Sequence, residues 1–410
     1  MAGLGLYYKR DLENEILRYL PVKEIIAVVG VRQCGKTTLL KKIAEDLSSE
    51  HKISFISFDD ISALHLFEDD IETFIEIYVK PFDYLFIDEI QYASKSGKRL
   101  KYIYDHFKIK IIISGSSAPE IAVQSLKYLV GRIFTFVLYP FSFREFLNVK
   151  DKKLLTTYDL GNYKKGMTDK FNQYLREFLK YGGFPRVVIA DRFDEKQMIL
   201  KNIYNTYLLR EIRETFQIAD NLKVVKLIKL LGLQIGNLIN FNELSNESGI
   251  QLYQLKNIIN ILESTYVISQ AHPYFTNKRT ELVKSPKLYF LDSGFRNACL
   301  ENFSDSFVSV GENLEQFVFS EFMKRNITLK YWRTKSQAEV DFVIDGPEII
   351  PIEVKSSLKS AKISRSFHSF LSKYNCTHAY ILSENMEEDV KLNSSRTMYF
   401  LPWVKLNKII

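Results

Sequence analysis

Cysteine is nearly absent from this chain of 410 residues: Cys34, Cys299 and Cys376 lie far apart and are odd in number. That excludes a disulfide framework and predicts free thiols in a reducing compartment. No apolar run is long enough to span a bilayer. The opening MAGLGLYYKR has an apolar stretch too short for a signal peptide, so the cytoplasm is the expected setting. A strong charge of one sign is lacking too. The 56 basic residues face 49 acidic ones, a net charge of +7 that is compatible with nucleic acid without being evidence for it. What is present is the composition of a folded protein, 46% hydrophobic and 26% charged. The length predicts roughly two to four domains.

The most informative stretch is GVRQCGKT, Gly30 to Thr37, which fits G-x-x-x-x-G-K-[ST]. Before it, residues 24–29 (EIIAVV) predict a buried strand. After it, Leu39, Leu40, Ile43 and Leu47 recur at helical spacing. Gly30 and Gly35 permit backbone angles that side chains block, so the loop amides can turn inward and cradle phosphate oxygens at a helix N-terminus. In that chemistry Lys36 lies against the β- and γ-phosphates, the Thr37 hydroxyl ligates Mg²⁺, and Thr38 follows in the first helical turn. ATP and Mg²⁺ are the cofactors this predicts.

Further strands are expected over residues 51–58, 84–91 and 109–117, with helices over 11–20 and 66–79. YLFIDEIQ ends a buried strand in two carboxylates, about 50 residues downstream of the phosphate loop. Asp88 is the expected holder of the Mg²⁺ shell and Glu89 the group that polarises the attacking water. IKIIISGSS follows directly and resembles the additional strand of one class of P-loop ATPases, where a polar residue senses the γ-phosphate. Ser116 is the first candidate for that role and Ser114 the alternative; both could instead cap the next helix. Gly131-Arg132 precedes a strand over 133–138. Arg132 reads either as a finger offered to a neighbouring subunit of a homo-oligomer or as a surface arginine.

The order GVRQCGKT, LFIDEIQ, IIISGSS, GR and PFSFREF is similar to the AAA+ ATPase superfamily, in particular to its archaeal and bacterial "ATP-binding protein" branch. That resemblance covers about the first third of the chain. It implies a parallel-sheet P-loop module of the additional-strand type, fused to a winged helix and a nuclease-like domain.

Residues 150–170 are polar and read as a variable connection, and 171–180 as a helix ending at Tyr181-Gly182-Gly183-Phe184-Pro185. The G-x-P step resembles an element that packs Pro185 against adenine in signalling ATPases; an ordinary helix–helix turn is the other reading. Residues 191–236 read as a small helical lid with Tyr204, Leu208, Ile212, Leu227, Ile228 and Leu231 in its core. Over 241–292 a short helix, a longer amphipathic helix and two apolar runs predict a winged helix. Its cations Lys278, Arg279, Lys284 and Lys287 are candidates for DNA phosphates, with protein docking as the alternative.

The last constellation lies in YWRTKSQAEVDFVIDGPEIIPIEVKSS. One strand, 339–344, carries Asp341; the next, 349–354, carries Glu353, with Lys355 two residues on and on the same strand face. Two carboxylates can share a divalent metal while the lysine stabilises a developing anion. The pattern resembles the PD-(D/E)XK nuclease fold, and Glu315 on the preceding helix matches the further acid ligand of some members. The element here is EVD and lacks the preceding proline. A salt-bridged hairpin, or a fold that binds without cutting, is the competing reading.

The expected architecture is therefore α/β: an AAA+ core over residues 1–150, a helical lid over 151–238, a winged helix over 239–298 and a restriction-endonuclease-like domain over 299–410. Two functions remain open, an ATP-hydrolysing protein that acts on DNA, with a Mg²⁺-dependent nuclease domain, and a nucleotide-gated regulatory scaffold whose last domain only recognises.

Overall fold

The computed structural model describes residues 7–115, 127–161, 165–207, 221–308 and 311–409. The chain forms two compact units, one running to Phe141 and including residues 264–266, the other made of 142–263 and 267–410.

The first unit is built on five parallel strands: β1 (Ile25–Val29), β2 (Ile53–Ser57), β3 (Tyr84–Asp88), β4 (Lys110–Gly115) and β5 (Ile133–Val137). Their order is β2-β3-β4-β1-β5, so the fourth strand lies between the first and third. Continuous Ile, Val and Phe runs make these strands because both faces of a parallel sheet are covered by crossover helices. Ile25, Ala27, Val29, Leu85, Ile87, Ile111 and Ile113 share a core with Phe67 and Phe74 from two helices, Ile61–Asp69 and Ile71–Tyr78. Sequence periodicity predicts one helix there. Two form because Asp70 leaves helical geometry and its carboxylate accepts from the Thr73 amide, capping a new start.

In the second unit, helices Phe143–Lys150, Lys152–Leu160, Thr168–Tyr181, Pro185–Ile189, Phe193–Tyr207 and Asn221–Leu233 come first. The stretch expected to be a connection thus contains a helix, capped by Asp151 and ended by Gly161 in the left-handed region. Tyr204, Leu227, Ile228 and Leu231 are buried as expected; Leu208 and Ile212 lie outside the described residues. Helices Phe241–Ser248 and Leu252–Ser264 follow, joined at Gly249 in the left-handed region. An antiparallel pair comes next, β6 (Ile268–Ala271) and β7 (Lys287–Phe290), and its connection includes a further helix, Lys278–Val283.

The unit closes on a six-stranded mixed sheet: β8 (Leu329–Arg333), β9 (Glu339–Asp345), β10 (Ile349–Val354), β11 (His378–Ser383), β12 (Glu388–Asn393) and β13 (Arg396–Pro402), in the order β12-β13-β11-β10-β9-β8. The helix Gly311–Met323 precedes three antiparallel strands, β8 to β10. The helix Arg365–Lys373 then leads to β11, which runs parallel to β10. Trp332, Val340, Val343, Phe367, Phe370, Ile381 and Phe400 form the core on one face.

Candidate functional sites

The phosphate loop joins β1 to the helix Lys36–Leu47. Gly30 has φ +150°, and a Cβ there would meet the Leu138 carbonyl oxygen at 2.1 Å, so no side chain fits. Gly35 (φ 99°) and Gln33 (φ 62°) turn the loop into the helix. Lys36 is 6% exposed, and its ammonium donates to the carbonyls of Gly30 at 2.8 Å and Val31 at 3.0 Å. Those are bonds that an entering phosphate would replace. Thr38 lies exposed in the same first turn.

Asp88, at the end of β3, is the hub. One carboxylate oxygen accepts from the Thr37 hydroxyl at 2.7 Å and the other from the Ser114 hydroxyl. Parallel register explains the second contact: Ile87 pairs with Ile113, which sets the next residues, Asp88 and Ser114, side by side. Glu89 follows with a left-handed backbone (φ 56°), and its carboxylate accepts from the Gln91 amide. A non-glycine residue held there marks a site over-determined by its surroundings. Thr37 and Asp88 offer adjacent hard oxygens, the donor chemistry that Mg²⁺ takes.

Ser114, the alternative candidate, therefore touches Asp88, and Ser116 lies outside the described residues. Arg132 sits at the other end of the sheet. Its carbonyl accepts from the Ile25 amide, and Ile133 pairs with Ile25, roughly 16 Å along the strand direction from the loop. Its guanidinium pairs with Asp105 at 3.1 Å, so it does not serve the nucleotide loop of its own chain. Sequence reasoning missed Arg10, which is 4% exposed and donates to the carbonyls of Cys34 at 2.8 Å and Tyr139 at 2.6 Å. No local motif announces it, because those partners are 24 and 129 residues away.

Pro185 opens its helix at the first turn, in the second unit. The glycine before it is explained there: Gly182 has φ +71°, and a Cβ would meet the Asp292 carboxylate at 2.1 Å. Asp292 accepts from the Gly183 and Phe295 amides, and burial raises its pKa. The element thus acts as a turn locked to a second turn.

The second candidate site belongs to the six-stranded sheet. Phe342 pairs with Ile352 across β9 and β10, so the next residues, Asp341 and Glu353, stand opposite each other. Asp341 accepts from the Val354 amide at 2.8 Å. Burial, and then the charge of Glu315, pushes its pKa up to about 7. Glu353 is 4% exposed, pairs with the Lys355 ammonium at 2.8 Å and accepts from the Ser364 hydroxyl at 3.1 Å. Burial works against the charge of Lys355, but Glu353 and Asp341 outweigh it and raise its pKa.

Glu315, expected as a further metal ligand, has donors of its own. It accepts from the Lys287 ammonium at 3.3 Å and from the Tyr289 hydroxyl. Among the described residues no group of three His, Cys, Asp or Glu side chains is arranged to hold a metal. Lys287 likewise departs from the expected DNA contact. It is 2% exposed, because it also pairs with Glu339 at 2.6 Å. Lys278 is held by Asp345 at 2.7 Å, which leaves Arg279 and Lys284 as exposed cations of that stretch. All three cysteines are free and buried. Among the described residues no helix is long and apolar enough to cross a membrane.

Comparison with known families agrees with the loop geometry. Residues 22–147 match the AAA domain, 172–306 a domain of unknown function (DUF8612) and 310–405 another (DUF4143). The first unit is thus similar to an AAA-type P-loop ATPase domain over residues 22–147. Similar proteins include an "Uncharacterized protein" of Haemophilus influenzae, 24% identical over 83% of this chain and 84% of its own. Another, from Methanocaldococcus jannaschii, is 28% identical over 88% of this chain and 80% of its own. Among solved structures, the Walker-type ATPase of Pyrococcus abyssi aligns at TM-score 0.48 and 15% identity, over 72% of this chain and 96% of that one.

Proposed function

We propose that this protein hydrolyses ATP in the presence of Mg²⁺ and couples the cycle to DNA, which its second unit engages. The observation that carries the ATPase half is Asp88, held between the hydroxyls of Thr37 and Ser114 with Glu89 next in the chain. Thr37 and Asp88 would hold Mg²⁺, which supplies positive charge at the β- and γ-phosphates. Lys36 would exchange its two carbonyl partners for phosphate oxygens, as a buried ammonium must keep acceptors. Glu89 would take the proton of the attacking water, and Ser114 would keep Asp88 oriented. Lys36→Ala should lose nucleotide binding, and Glu89→Gln should keep binding while turnover stops. Equal turnover in wild type and Glu89→Gln would remove Glu89 as the base.

The DNA half is supported by the pair of helices followed by an antiparallel strand pair, a winged-helix order. The second helix exposes Tyr253 (77%) and Leu252 (37%). It is also supported by the C-terminal order of helix, three antiparallel strands, helix and parallel strand, in which Asp341, Glu353 and Lys355 resemble the acid–acid–lysine set of a PD-(D/E)XK nuclease. Two opposed carboxylates suit a divalent ion, which would polarise a phosphodiester. Lys355, 45% exposed as a side chain, would meet the charge that develops. Mg²⁺-dependent nicking lost in Asp341→Ala tests this. A nucleotide-gated regulator that grips DNA without cutting is the second reading. It is favoured by the pairing of Glu315 with Lys287 and of Glu353 with Lys355.

A further inference from the structure

Lys287 belongs to none of the elements that make the carboxylate hairpin. It enters from β7, and its backbone is fixed there. Lys287 pairs with Ala271 of β6 and bridges Leu238, and the residues flanking it accept from the Ile239 and Gly236 amides. Its side chain is 3% exposed, 3.3 Å from Glu315 and 2.6 Å from Glu339, with the ring of Tyr331 beside it. The same Glu315 oxygen also accepts from Tyr289, and Arg333 stands 3.4 Å from the other oxygen of Glu339. Both acids are therefore supplied with donors from several elements. Lys355 differs: its side chain is 45% exposed and its head can swing into water when a cation arrives. Lys287 has no such exit. A buried ammonium displaced from those two carboxylates would keep only the weaker charge of Asp341.

We propose that Lys287 is the resident cation of this cluster, neutralising Glu315 and Glu339 where a second divalent ion would otherwise be shared, so that Asp341 and Glu353 alone hold a single exchangeable ion. The inference rests on the nuclease-type reading of Asp341 and Glu353. It makes the site composite, because its fixed positive charge comes from the β6–β7 pair and not from the sheet that carries the acids.

Mn²⁺ titration of the full chain without nucleotide, read by the electron paramagnetic resonance of free Mn²⁺, tests it. The ion of the Asp341–Glu353 pair is counted as the difference between a protein and its Asp341→Ala counterpart, and any further ion as the difference from its Glu315→Gln counterpart. One ion is expected in the wild type. Glu315→Gln should keep the count at one and change the affinity by no more than about a hundredfold, since Glu315 acts on Asp341 through its charge and not as a ligand. Lys287→Met should bind a second ion, lost again in Lys287→Met with Glu315→Gln. Loss of the ion, or weakening well beyond about a hundredfold, in Glu315→Gln would make Glu315 a ligand and overturn the proposal. A folded Lys287→Met that still binds one ion would overturn it equally. If Lys287→Met does not fold, the Glu315→Gln titration decides alone. Should wild type and Asp341→Ala bind identically, the nuclease-type reading fails and the proposal fails with it.

Discussion

Replacing Arg10 by methionine should damage nucleotide binding although Arg10 lies outside every recognised motif. Its guanidinium joins Cys34, inside the phosphate loop, to Tyr139, just beyond β5, and lies 4.7 Å from the Phe141 ring. The residue before Tyr139 is Leu138, whose carbonyl abuts Gly30. One side chain therefore fixes both banks of the loop. Hydrogen bonds from a charged donor contribute about 1.5–3 kcal/mol each, so those to Cys34 and Tyr139 together contribute up to about 6 kcal/mol. Methionine keeps most of the apolar stem and water can reach a loop carbonyl, so about 3 kcal/mol is the expected loss of stability in the first unit. If half of that reappears as loop disorder to be removed on binding, affinity for ATP falls about tenfold, at 1.4 kcal/mol per decade. Titration of the full chain with a fluorescent ATP analogue measures it. Arg10→Lys, which can reach one carbonyl but not fork to both, should fall between. Binding by Arg10→Met within a factor of about two of wild type would refute the reasoning, since that is under 0.5 kcal/mol.

Gly30→Ala should abolish nucleotide binding, because its Cβ would stand 2.1 Å from a carbonyl whose own residue donates to Val29; retained binding in a filter assay would show that the loop can shift. Ser114→Ala should lower turnover by about 10- to 100-fold with little change in ATP affinity, as it frees one oxygen of Asp88; an unchanged kcat would show that this contact does nothing in the cycle. The Cys376 thiol is pushed up to about 11 by burial, against an ordinary value of 9. A raised folded value keeps the proton on, so its stabilising contribution is whole below pH 9 and is lost as pH rises through 11. Alkylation at pH 8 should therefore be slow in the native chain and fast after denaturation, and rapid native labelling would contradict the burial. Glu89→Gln should cost about 10²–10⁴ in turnover with binding retained.

The parts of the fold that rest on short-range pattern were legible. The strand expected over residues 24–29 is Ile25–Val29, and that over 51–58 is Ile53–Ser57, because buried parallel strands are short apolar runs bounded by polar residues. The phosphate loop was legible for the same reason. What escaped was decided elsewhere. β12 reads EDVKLN, with no apolar run, because an edge strand needs hydrogen-bonding partners more than a buried face. The wing stretch contains a helix because Asn277 caps it through the Arg279 amide and Glu281 ties it to Lys330. Lys287 looked like a phosphate contact because its exposure is set by Glu339, 52 residues on, and no local feature of TELVKSPKLYF reports that. Ser114 was recoverable in principle: it needed only the register of β4 against β3.

The two carboxylate sites differ in how readily they can exchange their present donors for a metal. At Asp88 the donors are hydroxyls. A hydroxyl keeps its lone pairs and can turn its oxygen to an ion, so Thr37 would become a ligand by rotation with no charge stranded. At Glu315 the donors are a buried ammonium and a tyrosine whose pKa burial and Glu315 raise well above its ordinary value. An ammonium has no lone pair to offer, and removing its partners leaves an uncompensated buried charge, typically a loss of about 3–5 kcal/mol. A divalent ion at Glu315 would have to overcome that before gaining anything. At Glu353 the paired ammonium is that of Lys355, whose side chain is 45% exposed, so it can leave the buried carboxylate for water without being stranded. The ion-binding capacity of the C-terminal sheet should therefore be confined to that pair, and the nucleotide site should be the first in this chain to order a divalent ion as its concentration is raised with ATP present.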